Sequence, residues 1–515
     1  MGTVNADISE SPAIRLHPDD NVLIAMADLA AGAQVGGVVV ASPVPRMHKV
    51  ASTRIGEGQP VIKYSQAIGM ALVDIEAGQH VHTHNCRMAE FDRDYAFCQD
   101  AKPTLLVPQA EQRTFRGFRR ANGRAATRNF IGVLTSVNCS GTVARMIADQ
   151  LNRSGVLDDY RNVDGVVPLV HGSGCCMGGD DSHEGYRNLR RLFNGYAQHP
   201  NFAATLMVGL GCETMQIPDV VRESAGDPHS RLRTLTIQEA GGTMAAVEQG
   251  KALVVEMLAA ADAVERVDIP ASELVVALEC GGSDGFSGIT ANPALGAAVD
   301  LLVMQGGTAI LAETPEIYGA EHLLTRRAVS REVGEKLLAR IEWWKSYAAR
   351  NGGEMDNNPT PGNKQGGLTT ILEKSLGAQA KGGSTSLQDV YEYAEPVSSK
   401  GLVFMDSPGF DPASVTGMVA SGANVVCFTT GRGSAFGFKP SPSIKIATNT
   451  PLFERMSDDM DINGGTIAEG LQTVQEKGQE IFEEILAVAS GKRTRSELLG
   501  YGENEFTPWQ PGAVM

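Results

Sequence analysis

Hydrophobic and polar positions divide the chain into two regimes. From 14 to 88, short β-branched runs alternate with Gly and Pro: AIRLHPDDNVLIAMADL, GGVVVASPVPRMHKVASTRI and QPVIKYSQAIGMALVDIEAGQHVHTHN. Runs of that length split by turn residues predict a small all-β unit. The segment 89–115 has weak periodicity and reads as a linker. From Arg116 onward, continuous apolar runs alternate with stretches of helical spacing: FIGVLTSVNCSG then TVARMIADQLNRSG, VDGVVPLVHGSGCC then HEGYRNLRRLFNGYAQH, and FAATLMVGLGCE, with ELVVALECGGSDGFSG before ALGAAVDLLVMQGG. Strands that are apolar throughout are buried on both faces, and with intervening helices they predict parallel α/β architecture. The expected divisions are a polar tail 1–13, the β unit 14–88, a linker 89–115, an α/β domain 116–395 and a C-terminal α/β domain 396–515, the last two forming two lobes.

At 515 residues the chain exceeds what one core can organise. A net charge of −16 argues against nucleic acid as a partner, yet a local Arg/Lys pocket suffices for a small acidic ligand. The N-terminal residues lack the charged and apolar regions of a signal peptide, and the longest apolar runs are far below a membrane span. A soluble, cytoplasmic protein is expected, with no membrane or nucleic-acid partner and with its eight cysteines present as thiols or ligands.

Candidate chemistry gathers where strands end. Cys139, Cys175 (with Cys176 beside it), Cys212 and Cys280 each follow an apolar run and adjoin small residues. In parallel sheets the ligand crevice lies at the strands' carboxyl ends, so four thiols on one rim would suit iron or an iron–sulfur cluster. The alternative is four small core residues, since no CxxC spacing marks a metal site. The loop HGSGCCMGGDDSHEGY adds His171, Asp180, Asp181, His183 and Glu184, either as metal or acid/base groups or as a solvated loop capping a helix. ECGGSDGFSGITANP offers Ser283, Asp284 and Asn292 from a Gly-rich loop. PGNKQGG offers Asn363 and Lys364, and TTGRGSAFG offers Arg432. Cations flanked by glycine suit carboxylate binding, although a lone basic residue is more often a surface cation. In HVHTHN, strand alternation would put His80, His82 and His84 on one face.

HKVA, PVIKYSQAIGMA and HVHTHN resemble the small β domain of the altronate/galactarate dehydratase family, and GRAATRN, TSVNC, VGLGCE, ECGGSDGFSGITANP, NPTPGNKQGG, KSLGAQAKGG, FTTGRG and IKIATNT resemble its catalytic region. The resemblance covers about Ile14 to Gly465. It implies a SAF-type β-clip domain and a hydro-lyase converting a sugar acid to a 2-keto-3-deoxy acid with iron(II), or manganese(II) in its place. HVHTHN and PEIYGAEHLL are closer to the altronate branch. Galactarate or another aldarate, or a sulfolactate-type substrate, are the alternatives within the family. In the mechanism this implies, His82 and His84, with His48, carry imidazoles to the thiol rim. The metal ligands are then drawn from His82, His84, Cys139, Cys175, Cys212 and Cys280. His48, His82, His84, His183 and Asp284 are the catalytic candidates. Ser283, Asn292, Asn363, Lys364 and Arg432 are the substrate-binding ones. The expected partners are a small sugar acid and further copies of the chain in a homo-oligomer. A non-catalytic sugar-acid binding protein and an iron–sulfur oxidoreductase are the readings from other classes.

Overall fold

The computed structural model describes residues 11–175, 177–221 and 230–512. Cys176 and most of the polar tail 1–13 lie outside the described residues. Among the described residues no helix is long and apolar enough to cross a membrane.

The N-terminal unit is built of short antiparallel strands between Ala13 and Arg87. Val22–Ala25 pairs with Lys49–Ala51, which pairs in turn with His80–Val81. Gln66–Ala71 lies between Pro60–Lys63 and Cys86–Arg87. Strands this short bury little, and part of the core is borrowed: Ala320 and Leu376 of the following region pack with Val22, Ile68 and Val81. The 89–115 segment carries no long element but is strapped down. Cys98 N donates to Thr325 O, Asp100 N to Arg326 O and Val107 N to Met304 O.

Two all-parallel sheets follow. The first has the order Gly165–Leu169, Phe130–Thr135, Phe202–Gly209, Leu232–Thr236. The second has seven strands, ordered Leu387–Tyr391, Gly401–Met405, Thr308–Leu311, Val275–Cys280, Val425–Thr430, Ser443–Ala447, Ile462–Asn463. Residues of Phe130–Thr135, Phe202–Gly209 and Val425–Thr430 are buried throughout, as continuous apolar runs require. Helices Glu184–Ala197 and Asp411–Ala420 fill the space between the sheets, in a core that joins Leu134 and Met207 to Val403 and Phe428. The predicted division at 395/396 is corrected here. Strands from both sides of it interleave in the seven-stranded sheet, and the real passage between sheets runs from helix Thr243–Asp262 to strand Arg266–Pro270. Strand–helix alternation reports that a strand is buried, not which sheet it joins.

One ionic group joins the N-terminal unit to the large sheet. Lys49 Nζ donates to Glu373 Oε2 at 2.8 Å and to Gly367 O at 2.6 Å, and Lys63 Nζ donates to Glu373 Oε1 at 2.9 Å. All three side chains are buried. Burial alone would raise the Glu373 carboxyl, but the two lysines hold it well below the usual carboxylate range. Thr369 N and Oγ1 also donate to it. Removing one partner of a buried ionic group leaves uncompensated charge. Glu373→Ala is therefore expected to destabilise the protein by about 3–5 kcal/mol, measured as a lower urea midpoint. A change below about 1 kcal/mol would show that the lysines find other partners.

Candidate active site

The seven-stranded sheet reverses its order beside Val275–Cys280. The chain runs first to Thr308–Leu311 on one side and later to Val425–Thr430 on the other. Such a switch point opens a crevice at the carboxyl ends of the two diverging strands. Here that crevice is edged by 281–290 and 431–433, and the N-terminal unit presses on it. A Cβ at Gly285 would fall 2.4 Å from Met47 O, and one at Gly367, whose φ is +101°, would fall 2.5 Å from the same atom. Only glycine allows the backbones this close.

This contact sets His48 over the switch point. His48 Nδ1 lies 3.0 Å from His80 Nε2, and its Nε2 lies 3.2 Å from Gln365 O. The ring centroids of His48 and His82 are 4.7 Å apart. One ring nitrogen from each of His48, His80 and His82 falls within 4.8 Å of the others. His82 Nδ1 is buried with no hydrogen-bond partner. Burial first, then neighbouring positive groups, push His80 down to about 4 and His82 to about 3, and burial also lowers His48. All three imidazoles are therefore neutral near pH 7, the state in which histidine binds a cation.

The predicted continuous strand is corrected. It ends at Val81, and residues 82–85 turn, with Asn85 N and Cys86 N donating to His82 O and Asn85 Oδ1 accepting from His82 N. The turn keeps His80 and His82 together but swings His84 to the exposed edge, where its ring lies tilted against His80, centroids 5.3 Å apart, without joining the three-nitrogen group.

Arg432 is exposed beside this group and donates from Nη2 to Gln365 Oε1 at 2.9 Å, so Gln365 touches His48 through its carbonyl and Arg432 through its side chain. Lys364 is half-buried on the same short helix, and among the described residues its ammonium makes no hydrogen bond or salt bridge. Ser283 is buried on the facing loop and lines a small cavity with Lys63, Tyr64 and Lys374.

Other predicted residues are occupied by the protein itself. Asp284 Oδ1 accepts from Phe286 N, Ser287 N and Ser287 Oγ, while Oδ2 accepts from Thr448 Oγ1 and Asn449 Nδ2. It organises three loops and has no free oxygen to offer a substrate. Asn292 donates to Gly377 O and accepts from Thr429 Oγ1. Asn363 completes a capping box with Thr360 and donates to Ser283 O. These two also hold the walls rather than the contents. His183 is exposed at the start of helix Glu184–Ala197, with Ser182 Oγ 3.1 Å from its Nδ1, and takes no part in the imidazole group. His171 is buried and spent between Thr135 O and Ser173 N. The four thiols do not share a rim. Cys280 ends a strand of the large sheet and is buried, whereas Cys139, Cys175 and Cys212 follow strands of the small one and are exposed.

A second group at the same edge was not foreseen. Carboxyl oxygens of Glu279, Glu313 and Asp411 lie within 4.8 Å of one another. Lys381 Nζ donates to Cys280 Sγ at 2.9 Å and lies 3.7 Å from Glu313, and Lys374 Nζ pairs with Glu316 and donates to Asn358 Oδ1. Burial pushes Glu279 up to about 8 and the Cys280 thiol up to about 12. Glu316 lies below its ordinary value because Lys374 and Lys381 outweigh burial. The signal was present as charges in apolar runs: Glu279 in LVVALEC, and Lys374 and Lys381 in KSLGAQAKGG.

Three family models match, one per structural unit: the altronate/galactarate dehydratase SAF domain over residues 11–89, the D-galactarate dehydratase/altronate hydrolase second domain over 117–262, and the D-galactarate/altronate dehydratase C-terminal region over 271–514. Among curated proteins, the altronate dehydratase of Bacillus subtilis (strain 168) is 37% identical over 96% of this chain and 97% of its own length. The chain belongs to the altronate/galactarate dehydratase family. The altronate dehydratase of Escherichia coli (strain K12) is 37% identical over 94% of this chain and 96% of that protein. The galactarate dehydratase (L-threo-forming) of the same strain is 38% identical over 97% of each. The family boundary between 262 and 271 coincides with the passage between the two sheets.

The lowered histidines carry a pH consequence. Because His80 and His82 lie at about 4 and about 3 when folded, against 6.5 ordinarily, the unfolded chain binds more protons between those limits. Stability therefore rises with pH across that window and falls on acidification. Comparing urea midpoints near pH 5 and pH 8, the pair His80→Asn and His82→Asn is expected to narrow the difference between the two conditions. An unchanged difference would mean that these imidazoles are not held neutral.

Proposed function

We propose that this chain is a hydro-lyase that dehydrates a sugar acid of the altronate type to a 2-keto-3-deoxy acid, with its site between the N-terminal unit and the switch point of the large sheet. One observation carries the reading: His48, His80 and His82 converge within one hydrogen bond of Gln365, which also holds Arg432. The relatives named as altronate dehydratases support the substrate class.

Three neutral imidazoles, one with an unpartnered buried nitrogen, fit a divalent cation such as iron(II). Such a cation would supply Lewis-acid polarisation of substrate oxygens when bound. The chain's own groups do the rest. Arg432 binds the carboxylate next to C2 in bidentate fashion and meets the charge that builds there as the C2 proton leaves. His84, exposed and with its ring 5.3 Å from that of His80, is assigned as the proton acceptor. Ser283 orients hydroxyls from the opposite wall, and Asp284, Asn292 and Asn363 fix the loops that carry it. The C3 hydroxyl departs as water after taking a proton, and the enol product becomes the ketone.

A second cation favours a second reading within the family. An aldaric acid has a carboxylate at each end, and Lys364 lies on the same helix as Gln365. Galactarate is therefore the first competitor to altronate, consistent with the comparable identity to the galactarate dehydratase.

The test is keto-acid formation by anaerobically prepared protein supplied with iron(II), over altronate, galactarate and their epimers. Turnover of none of these acids would end the hydro-lyase reading. His84→Ala is expected to lower kcat by on the order of 100-fold. Arg432→Lys, which keeps the charge but loses the planar fork, is expected to lower kcat/KM by about 10- to 100-fold. His48→Ala with His82→Ala is expected to lower the tightly bound iron by about one per chain, as one three-imidazole site would hold, read by metal analysis of the protein after desalting.

A further inference from the structure

Among the cysteines outside the site described above, the fold brings the loops of three to one point. In the four-stranded sheet, Phe130–Thr135 has Gly165–Leu169 on one side and Phe202–Gly209 on the other, so this sheet also has a switch point. Each of these strands is followed by a cysteine: Cys139, Cys175 and Cys212 respectively. All three are exposed, whereas Cys86, Cys280 and Cys427 are buried.

The loops that carry them are tied together around Ser136. Ser136 Oγ donates to Glu213 Oε1 at 2.6 Å, and Gly211 N donates to Glu213 Oε2 at 2.6 Å, which fixes both neighbours of Cys212. Gly174, with φ +94°, packs so tightly that a Cβ there would fall 2.3 Å from Ser136 O, which fixes the residue before Cys175. Asn138 N donates to Ser173 O at 3.0 Å, which ties the Cys139 loop to the Cys175 loop. Cys139 lies in the turn Asn138–Ser140 that opens helix Gly141–Arg153.

We propose that Cys139, Cys175 and Cys212 hold an iron–sulfur cluster through three thiolates, with one iron left without a protein ligand. Soft thiolates select such clusters. Among the described residues, the groups tight enough for a single ion lie elsewhere: the imidazoles and the acidic edge of the large sheet. A cluster separates its thiolates by its own width, which suits three cysteines on neighbouring loops. Assembly from ferrous iron and sulfide releases the thiol protons to solvent and forms no bond between cysteine sulfurs. This site is on the other sheet from the proposed hydro-lyase centre, so the two stand or fall separately.

The full chain, purified anaerobically and reconstituted with ferrous iron and sulfide, is expected to carry about four acid-labile sulfides and about four irons beyond any held by the imidazoles, with broad visible absorption that air bleaches. Cys139→Ser, Cys175→Ser and Cys212→Ser should each lose most of the acid-labile sulfide, while Cys98→Ser and Cys427→Ser retain it. Circular dichroism of the unloaded thiol variants should match that of the parent, because the positions are exposed. His48→Ala with His82→Ala should keep the sulfide, whatever its activity. Absence of acid-labile sulfide from the parent, its retention in the three exposed-thiol variants, or its loss in Cys280→Ser alone would overturn the proposal.

Discussion

Much of this structure depends on a carboxylate that two lysines share. Lys49 and Lys63 come from the N-terminal unit and Glu373 from the helix beyond the large sheet, and none of the three has water to fall back on. Each lysine alone would be an intolerable buried charge. With Glu373 between them, and Thr369 and Gly367 completing the hydrogen bonds, the group is satisfied in one relative placement of the two domains. That placement puts His48, the residue next to Lys49, above the switch point. On the other side of the same helical turn, Lys374 reaches Glu316 in the acidic group. Adjacent residues thus anchor the domain joint and balance the charge of the sheet's carboxyl edge.

The fold class was legible in the sequence because burial on both faces leaves its mark in uninterrupted apolar runs such as FIGVLT and VVCFTT. The assignment of strands to sheets was not, because that depends on crossovers whose direction the local pattern does not encode. At the site, HVHTHN was visible as unusual and His48 was named with it, but period two could not show that the chain turns after Val81 and groups His48 with His80 and His82. His48 lies over thirty residues upstream and reaches His80 through the register that sets Val50 opposite His80. Asp284 shows the complementary difficulty. A polar residue in a Gly-rich loop presents the same letters whether its oxygens face a ligand or, as here, are consumed by Ser287, Thr448 and Asn449.

The two sheets apply one topological device with different donors. In each, the chain leaves a central strand to one side and returns on the other, and the diverging carboxyl ends bear Gly-rich loops. On the large sheet these loops receive imidazoles from another domain and supply a guanidinium. On the small sheet they display thiols from their own strands. The shared core of helices Glu184–Ala197 and Asp411–Ala420 makes the two sheets one rigid support.

The grip of Gly285 and Gly367 on the carbonyl of Met47 has a consequence for how such proteins diversify. Met47 itself holds a left-handed backbone, φ 73°, at the point of closest approach. The seam there is main chain against main chain, so drift in side chains cannot reset it. Under the proposed function, new substrate preferences would then be written at the rim, in residues like Lys364 and Arg432, while the seam works as a fixed datum against which every variation of that rim is measured.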